Sequence, residues 1–255
     1  MISFKILLEY DGTRYSGWQE QKNARTVMGE IRKAAQEVLG ERLEMQGAGR
    51  TDAGVHALGQ VASFRTDRTW APTDWTRALN AVLPEDISVR STELMPDSFH
   101  AQHAACGKLY EYRILNRPER PTIERRYVWH VYRPLDDASM RQAASTLIGS
   151  HDFSSFEGAL SDNEDPICHL QQLSVAREGD HLVIQAYANR FLKQMARAIV
   201  GTLVEVGHAK RPPNSLADIL AAKDRTAAGR TAPPQGLFLV RVDYQYFADS
   251  PTDDP

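Results

Sequence analysis

Residues 2–9, ISFKILLE, are apolar in an extended pattern and predict a strand. From Thr26 the run TVMGEIRKAAQEVL places Val27, Ile31, Ala34, Ala35 and Val38 at helical spacing. Thr26 is suited to cap that helix, which the spacing predicts over 26–39, and Gly40 follows its end. A short strand is predicted over 43–46, then a glycine-rich loop, then a strand QVASFRT from Gln60. Residues 74–83 read as a helix capped by Thr73 and stopped before Pro84, and ISVRSTEL from Ile87 as a strand. The order β-α-β-β-α-β is that of the split ferredoxin-like unit.

A second, similar series follows. LYEYRIL from Leu109 is a strand with Tyr110, Tyr112 and Ile114 on one face. A helix over 137–148 ends at Gly149, and LQQLSVAR and HLVIQAY form a hairpin across 178–180. A long helix over about 191–206, a short one over 215–223 and a strand LFLVRVDY from Leu237 complete the set. The fold class is therefore α+β: two ferredoxin-like halves, 1–104 and 105–247, joined in one antiparallel sheet. The acidic, proline-containing tail 248–255 is expected to be disordered.

Composition adds bounds. The chain has 255 residues, 42% of them hydrophobic, enough for a sizeable core. No apolar run approaches the roughly 18 residues of a membrane span, and MISFKILLEYDG has no basic leader. Cys106 and Cys168 are far apart and not in a metal-type pair, so a cytoplasmic protein with free thiols and no metal is expected. The net charge of -3 does not advertise a nucleic-acid binder, but binding depends on where charge sits. Between Tyr110 and Arg133, six arginines (113, 117, 120, 125, 126 and 133) alternate with Tyr110, Tyr112, Tyr127, Trp129 and Tyr132. Such a pattern suits phosphate contact with base stacking, or a solvated hairpin.

The candidate chemistry lies in GAGRTDAGVH, residues 47–56. Three glycines forbid a long helix there and present Arg50 and Asp52 on a small rigid loop. Asp52 is either an Asx-turn residue or a reacting carboxylate. The stretch lacks the Lys-Ser/Thr end of a phosphate loop. No second acid in a comparable motif supports a glycoside hydrolase. The helix NRFLKQMARAIVGTLVEVG, with Phe191, Leu192, Met195, Ile199, Val200 and Leu203 among its apolar positions, is apolar nearly all round, hence buried, yet carries Arg197. A buried guanidinium calls for an acid, and Asp52 and the near neighbour Glu205 are both candidates.

GRTDAGVH, with EYDGTRYSGWQEQ, KLYEYRI, FLKQMARAIVG and AAKDRTAAGRTAPPQGLFLV, resembles the tRNA pseudouridine synthase A family over about residues 3–247. The resemblance implies a duplicated ferredoxin-like fold with its active cleft between the halves, acting as a homodimer without metal or cofactor. It implies isomerisation of uridine to pseudouridine in the tRNA anticodon stem-loop, at positions 38–40, or in another structured RNA. Asp52 matches the family's catalytic aspartate, as nucleophile or as base at the sugar. Arg197 matches the arginine paired with it. Tyr110 matches the tyrosine that stacks on the base near its C5 proton, and Arg50 an arginine that holds RNA. Thr51, His56, Lys108 and Tyr112 are expected to contact substrate, although His56 also suits a local structural role and Lys108 plain solvation.

The chain departs from the family pattern at Gln102, Glu157, Glu164 and Cys168, where relatives commonly carry arginines or other residues. VMGEI likewise stands where VQG or VQE is usual. Lost basic positions predict an intact reaction on an altered or narrowed set of RNAs. The alternative class is a non-catalytic RNA-binding or chaperone module. A decayed enzyme should have lost Asp52, Tyr110 or Arg197, and all three are present.

Overall fold

Thr26 accepts a hydrogen bond from Gly29 N, and Gly40 turns left-handed at φ 76°, so α1 runs Val27–Leu39 between the two predicted caps. The computed structural model describes residues 1–40, 42–159 and 165–245. The expected tail 248–255 and Glu164 lie outside them.

Around α1 the first series is β1 (Ile2–Tyr10), β2 (Met45–Gly47), β3 (His56–Thr66), α2 (Pro72–Val82) and β4 (Ile87–Met95). Helix α2 starts earlier than expected. Thr73 is inside it, and Pro72 at the first position, with φ already helical, opens it without a side-chain cap. Strand β3 begins at His56 rather than Gln60, because His56 and Ala57 pair with the last strand of the chain.

The second series is β5 (Ala105–Leu115), β6 (Trp129–His130), α3 (Asp137–Ser145), β7 (Gly149–Asp152), β8 (Ile167–Glu178), β9 (His181–Ala188), α4 (Met195–Gly207), α5 (Ser215–Ala222) and β10 (Leu237–Tyr244). The short strands β6 and β7 had no pattern long enough to predict them. Helix α4 begins at Met195 and not near 191, because Gln194 takes a left-handed φ of 59° and separates 191–193 from the helix. Helix α3 stops at Ser145, short of 148, with Thr146 as its C-cap.

The ten strands of the described residues join one mostly antiparallel sheet, in the order β4-β1-β3-β10-β5-β9-β8-β7, with β2 beside β3 and β6 beside β5. The orders β4-β1-β3-β2 and β10-β5-β9-β8 repeat one arrangement, with the last strand of each series against its first. The two meet where β10 runs parallel to β3 at Phe238–His56 and Leu239–Ala57. β10 is also antiparallel to β5. Burial follows the pattern: β9 alternates strictly, and β3, at the centre, is almost continuously buried. Phe4, Phe64 and Trp75 pack with ring centroids 5.0–5.6 Å apart in the first half of the core.

Helix α4 is buried on nearly every side, with Arg197 and Glu205 as its two exceptions. The strap 228–233 runs so close along it that a Cβ on Gly201 would stand 1.7 Å from the Arg230 carbonyl oxygen. Backbone cannot yield there as a flexible side chain can. Gly201→Ala is expected to cost about 3 kcal/mol by the overpacking rule, measured by urea denaturation; a loss below about 0.5 kcal/mol would show that the strap is free to lift.

Candidate active site

The glycine loop between β2 and β3 is held by backbone as much as by side chains. Trp18 N donates to Thr51 O at 3.0 Å, Gly54 N to Tyr15 O at 3.2 Å and Val55 N to Asp52 O at 3.1 Å. The Thr51 hydroxyl bonds the Tyr10 hydroxyl at 2.7 Å, and Gln60 Nε2 donates to Gly49 O at 2.9 Å. Two glycines permit this clamp. Gly17, at φ 95°, lies where a Cβ would press on Thr51 O, and Gly47 lies against the Trp18 indole.

Asp52 leaves that loop toward α4. Arg197 Nη1 donates to Asp52 Oδ2 at 2.7 Å, and Arg197 Nε to Ala232 O at 2.8 Å. The guanidinium side chain is 12% exposed and the carboxylate 28%, so the pair lies at the floor of a cavity rather than in sealed core. The other candidate acid, Glu205, is taken by Arg211 at 2.6 Å.

Tyr110 on β5 faces the same cavity. It is 7% exposed and stands edge-on to Phe191, with centroids 4.9 Å apart. Burial pushes its phenol above the ordinary value, and the charges of Tyr10 and Asp52 add to the shift. The group is therefore a neutral phenol at physiological pH, and its hydroxyl has no hydrogen-bond partner among the described residues.

The cavity is a cleft of about 1080 Å³ between the β2–β3 loop and the entry to α4. It exceeds the range of roughly 300–1,000 Å³ usual for small-molecule sites. Arg32, Arg50, Lys108, Arg190, Lys193 and Arg197 line it, and Asp52 is the one carboxylate among its described lining residues. Arg32 is bound to Glu20 and Glu44. Arg50 is exposed at the rim and has no ion pair among the described residues. Lys108 is half-buried, its Nζ beside Gly49, where a Cβ would stand 3.2 Å away. It too has no carboxylate partner among the described residues, and burial, then the charge of Arg190, lowers its pKa. Among the described residues no group of three or more His, Cys, Asp and Glu is placed to hold a metal.

Of the residues singled out from sequence, Arg50, Thr51, Asp52, Lys108, Tyr110 and Arg197 come together here. His56 and Tyr112 do not. His56 is 1% exposed and stacks on Phe238 at 4.8 Å. Its Nδ1 accepts from Gly12 N, and its Nε2 donates to Arg126 O. Burial lowers its pKa against the opposing charge of Asp11. It is a joint between the two halves, not a cleft residue. Tyr112 shares the face of Tyr110 but is covered, 1% exposed, by Gly236 and donates to Pro233 O at 2.7 Å. Among the departures, Gln102 lines the cleft and Cys168 is core. Glu157 does not line the cleft. Sequence reasoning placed Phe191 inside a helix and missed it as a cleft wall. It also missed Tyr10, whose only signal was its position in a matching block.

A glycine-clamped carboxylate paired to a buried arginine, facing a neutral phenol in a basic cleft, defines an enzyme site built for a polyanionic substrate. The chain belongs to the tRNA pseudouridine synthase family, whose family model matches residues 6–103 and 143–245. Among curated relatives, tRNA pseudouridine synthase A of Thermoanaerobacter sp. (strain X514) is 47% identical over 244 residues, covering 96% of this chain and 100% of the relative. The proteins of that name from Shigella boydii serotype 4 (strain Sb227) and Escherichia coli O1:K1 / APEC are each 43% identical over 250 residues. They cover 97% of this chain and 93% of the relative.

An unpartnered, desolvated ammonium does not stabilise a fold. Its cost is present while the pH is below the folded-state pKa of Lys108, and is relieved as the pH rises toward the ordinary lysine value. Lys108→Met is expected to melt at the same or a higher temperature than the native protein at neutral pH, with the difference narrowing in alkaline buffer. A lower melting temperature at pH 7 would mean that Lys108 has a structural partner.

Proposed function

We propose that this protein isomerises uridine to pseudouridine in the anticodon stem-loop of tRNA, at positions 38–40, using Asp52, Arg197 and Tyr110. One observation carries the reading. A chain of net charge -3 gathers six cations around a single carboxylate in one cleft. Arg50 and Lys108, without ion pairs among the described residues, suit phosphates, and the carboxylate below them suits a sugar carbon.

The target nucleotide leaves its stack and enters the cleft, with Arg50 and Lys108 on its phosphates. The Asp52 carboxylate, held in place by Arg197, acts at the ribose as nucleophile or base while the N1–C1′ bond breaks. The bonding pair leaves with the uracil. The uracil turns and C5 bonds to C1′ as the Asp52–C1′ ester breaks, or, on the base route, as Asp52 returns the sugar proton it took; the C5 proton departs and N1 gains one, so atoms balance. The Tyr110 ring supplies a stacking face. Its phenol is neutral, so its oxygen takes up the C5 proton only by passing its own proton on. Thr51 serves the loop through its bond to Tyr10. This scheme uses the chain's own groups and no cofactor. The reading also includes two halves, 1–104 and 105–247, a homodimer and a cytoplasmic setting; no described helix is long and apolar enough to cross a membrane.

Unmodified tRNA carrying 5-tritiated uridine tests the chemistry, because the reaction expels the C5 hydrogen. Native protein is expected to release tritium, and Asp52→Ala to release none while remaining folded. Release by a clean Asp52→Ala preparation would remove Asp52 from the chemistry. No release by native protein, from tRNA or from total RNA, would leave an RNA-binding module.

A further inference from the structure

We infer that a second phosphate-binding surface lies at the far end of α4 and docks the tRNA backbone beyond the arm held in the cleft. This rests on the reading of the protein as a tRNA-modifying enzyme.

The surface is a shallow groove between two segments, 133–136 and 207–210. Asp136 N donates to Gly207 O at 3.0 Å and ties them together. Ala209, left-handed at φ 55°, turns the chain sharply after α4, so that His208 lines the groove and Lys210 stands at its edge. Arg133 comes from the opposite segment, and Arg230 from the strap along α4. The charges of Lys210, Arg133 and Arg230 all act on His208 in the same direction.

Among the described residues Arg133, Lys210 and Arg230 have no ion pair. The acids beside them are committed elsewhere. Glu205 binds Arg211 and accepts from Arg230 N, and Asp136 caps α3 through Ala138 N and Ser139 N. The His208 Nε2 atom is buried with no hydrogen-bond partner. Like charges gathered together beside a buried, unpaired ring nitrogen are unfavourable without an anion.

Two features favour nucleic acid over a free anion. The Tyr132 ring is 59% exposed, with the Arg133 guanidinium 5.5 Å from its centroid, an exposed stacking face next to a phosphate-binding group. The strap also links this end of α4 to the active site. Ala232 in the strap accepts from Arg197 Nε and donates to Arg197 O, and Arg230 is two residues away. Gly207, at the end of helix α4, lies ten residues beyond Arg197, so the groove is about 15 Å from Arg197 at 1.5 Å per residue. One tRNA is long enough to reach both. The plainer use of cations here is to balance the negative end of the helix dipole, and that role predicts an effect on stability alone.

The test is binding of unmodified full-length tRNA, and of its isolated anticodon stem-loop, over a salt series. The native protein is compared with a variant carrying Arg133→Gln, Lys210→Gln and Arg230→Gln. Full-length tRNA is expected to bind the variant more than tenfold more weakly near physiological salt. The slope of log K against log salt should fall by about 2, from roughly 0.7–0.9 per lost phosphate contact. The stem-loop should bind both proteins alike. An unchanged slope for full-length tRNA overturns the inference, and so does an equal loss on the stem-loop, which would place the contact inside the reacting arm. Lys210→Glu alone, with its melting temperature checked, repeats the comparison if the triple variant is unstable. Competition by inorganic phosphate at the groove without any effect on tRNA binding would assign it to a free anion and also overturn the inference. Tritium release is followed separately, so failure of the catalytic reading is seen without these slopes.

Discussion

The contact between Asp52 and Arg197 joins positions 145 residues apart and brings the glycine loop of the first half onto the main helix of the second. As a stabilising interaction it is modest. A half-exposed carboxylate is screened by water, and a largely buried guanidinium gives up much of its hydration. Its value is positional. The backbone seam between the halves is only two residue pairs of parallel β3–β10 ladder. The ion pair, with the Ala232 carbonyl behind it, fixes the distance between loop and helix at the place where the cleft needs it. His56, stacked on Phe238, holds the same seam.

Charge is organised on the same plan. About half of the arginines and lysines meet acids in ion pairs among the described residues, as Lys5 does with Glu93 and Arg177 with Asp137. In the cleft Arg50 and Lys108 go without such partners. Composition sums over both populations and so reports a slightly acidic protein. In the proposed reading the polyanion meets unpaired cations of the cleft, which only the fold reveals.

Much of this was legible beforehand because it rests on local rules. The caps of α1, the alternation along β9 and the all-round apolarity of α4 each lead to the observed element. The need of Arg197 for an acid also follows from sequence, but the choice between Asp52 and Glu205 depends on what Arg211 does, and that is tertiary. Tyr112 shows a further limit. A period of two assigns Tyr110 and Tyr112 to one face and says nothing of depth along the strand. Gly236 and Pro233 cover one ring and leave the other at the cleft. His56 was misplaced because a motif fixes neighbours in sequence, while β3 turns its first side chain to the seam. β6 and β7 are too short for any periodicity to register.

The start of α4 joins strain to the site. Gln194 holds a left-handed backbone that a side chain adopts at a cost of about 1 kcal/mol. A helix continued back to 191 would carry Phe191 around the α4 axis. The break keeps 191–193 as a cleft wall, with Phe191 edge-on to Tyr110. The same break sets Arg197 in the first turn of the helix. Gly158 makes room for it: its N–H donates to Lys193 O at 2.8 Å, and a Cβ there would meet the Gln194 amide at 2.8 Å. One strained residue thus places both the ring that supports Tyr110 and the guanidinium that orients Asp52. A relaxed helix at this point would be more stable locally and would separate the two.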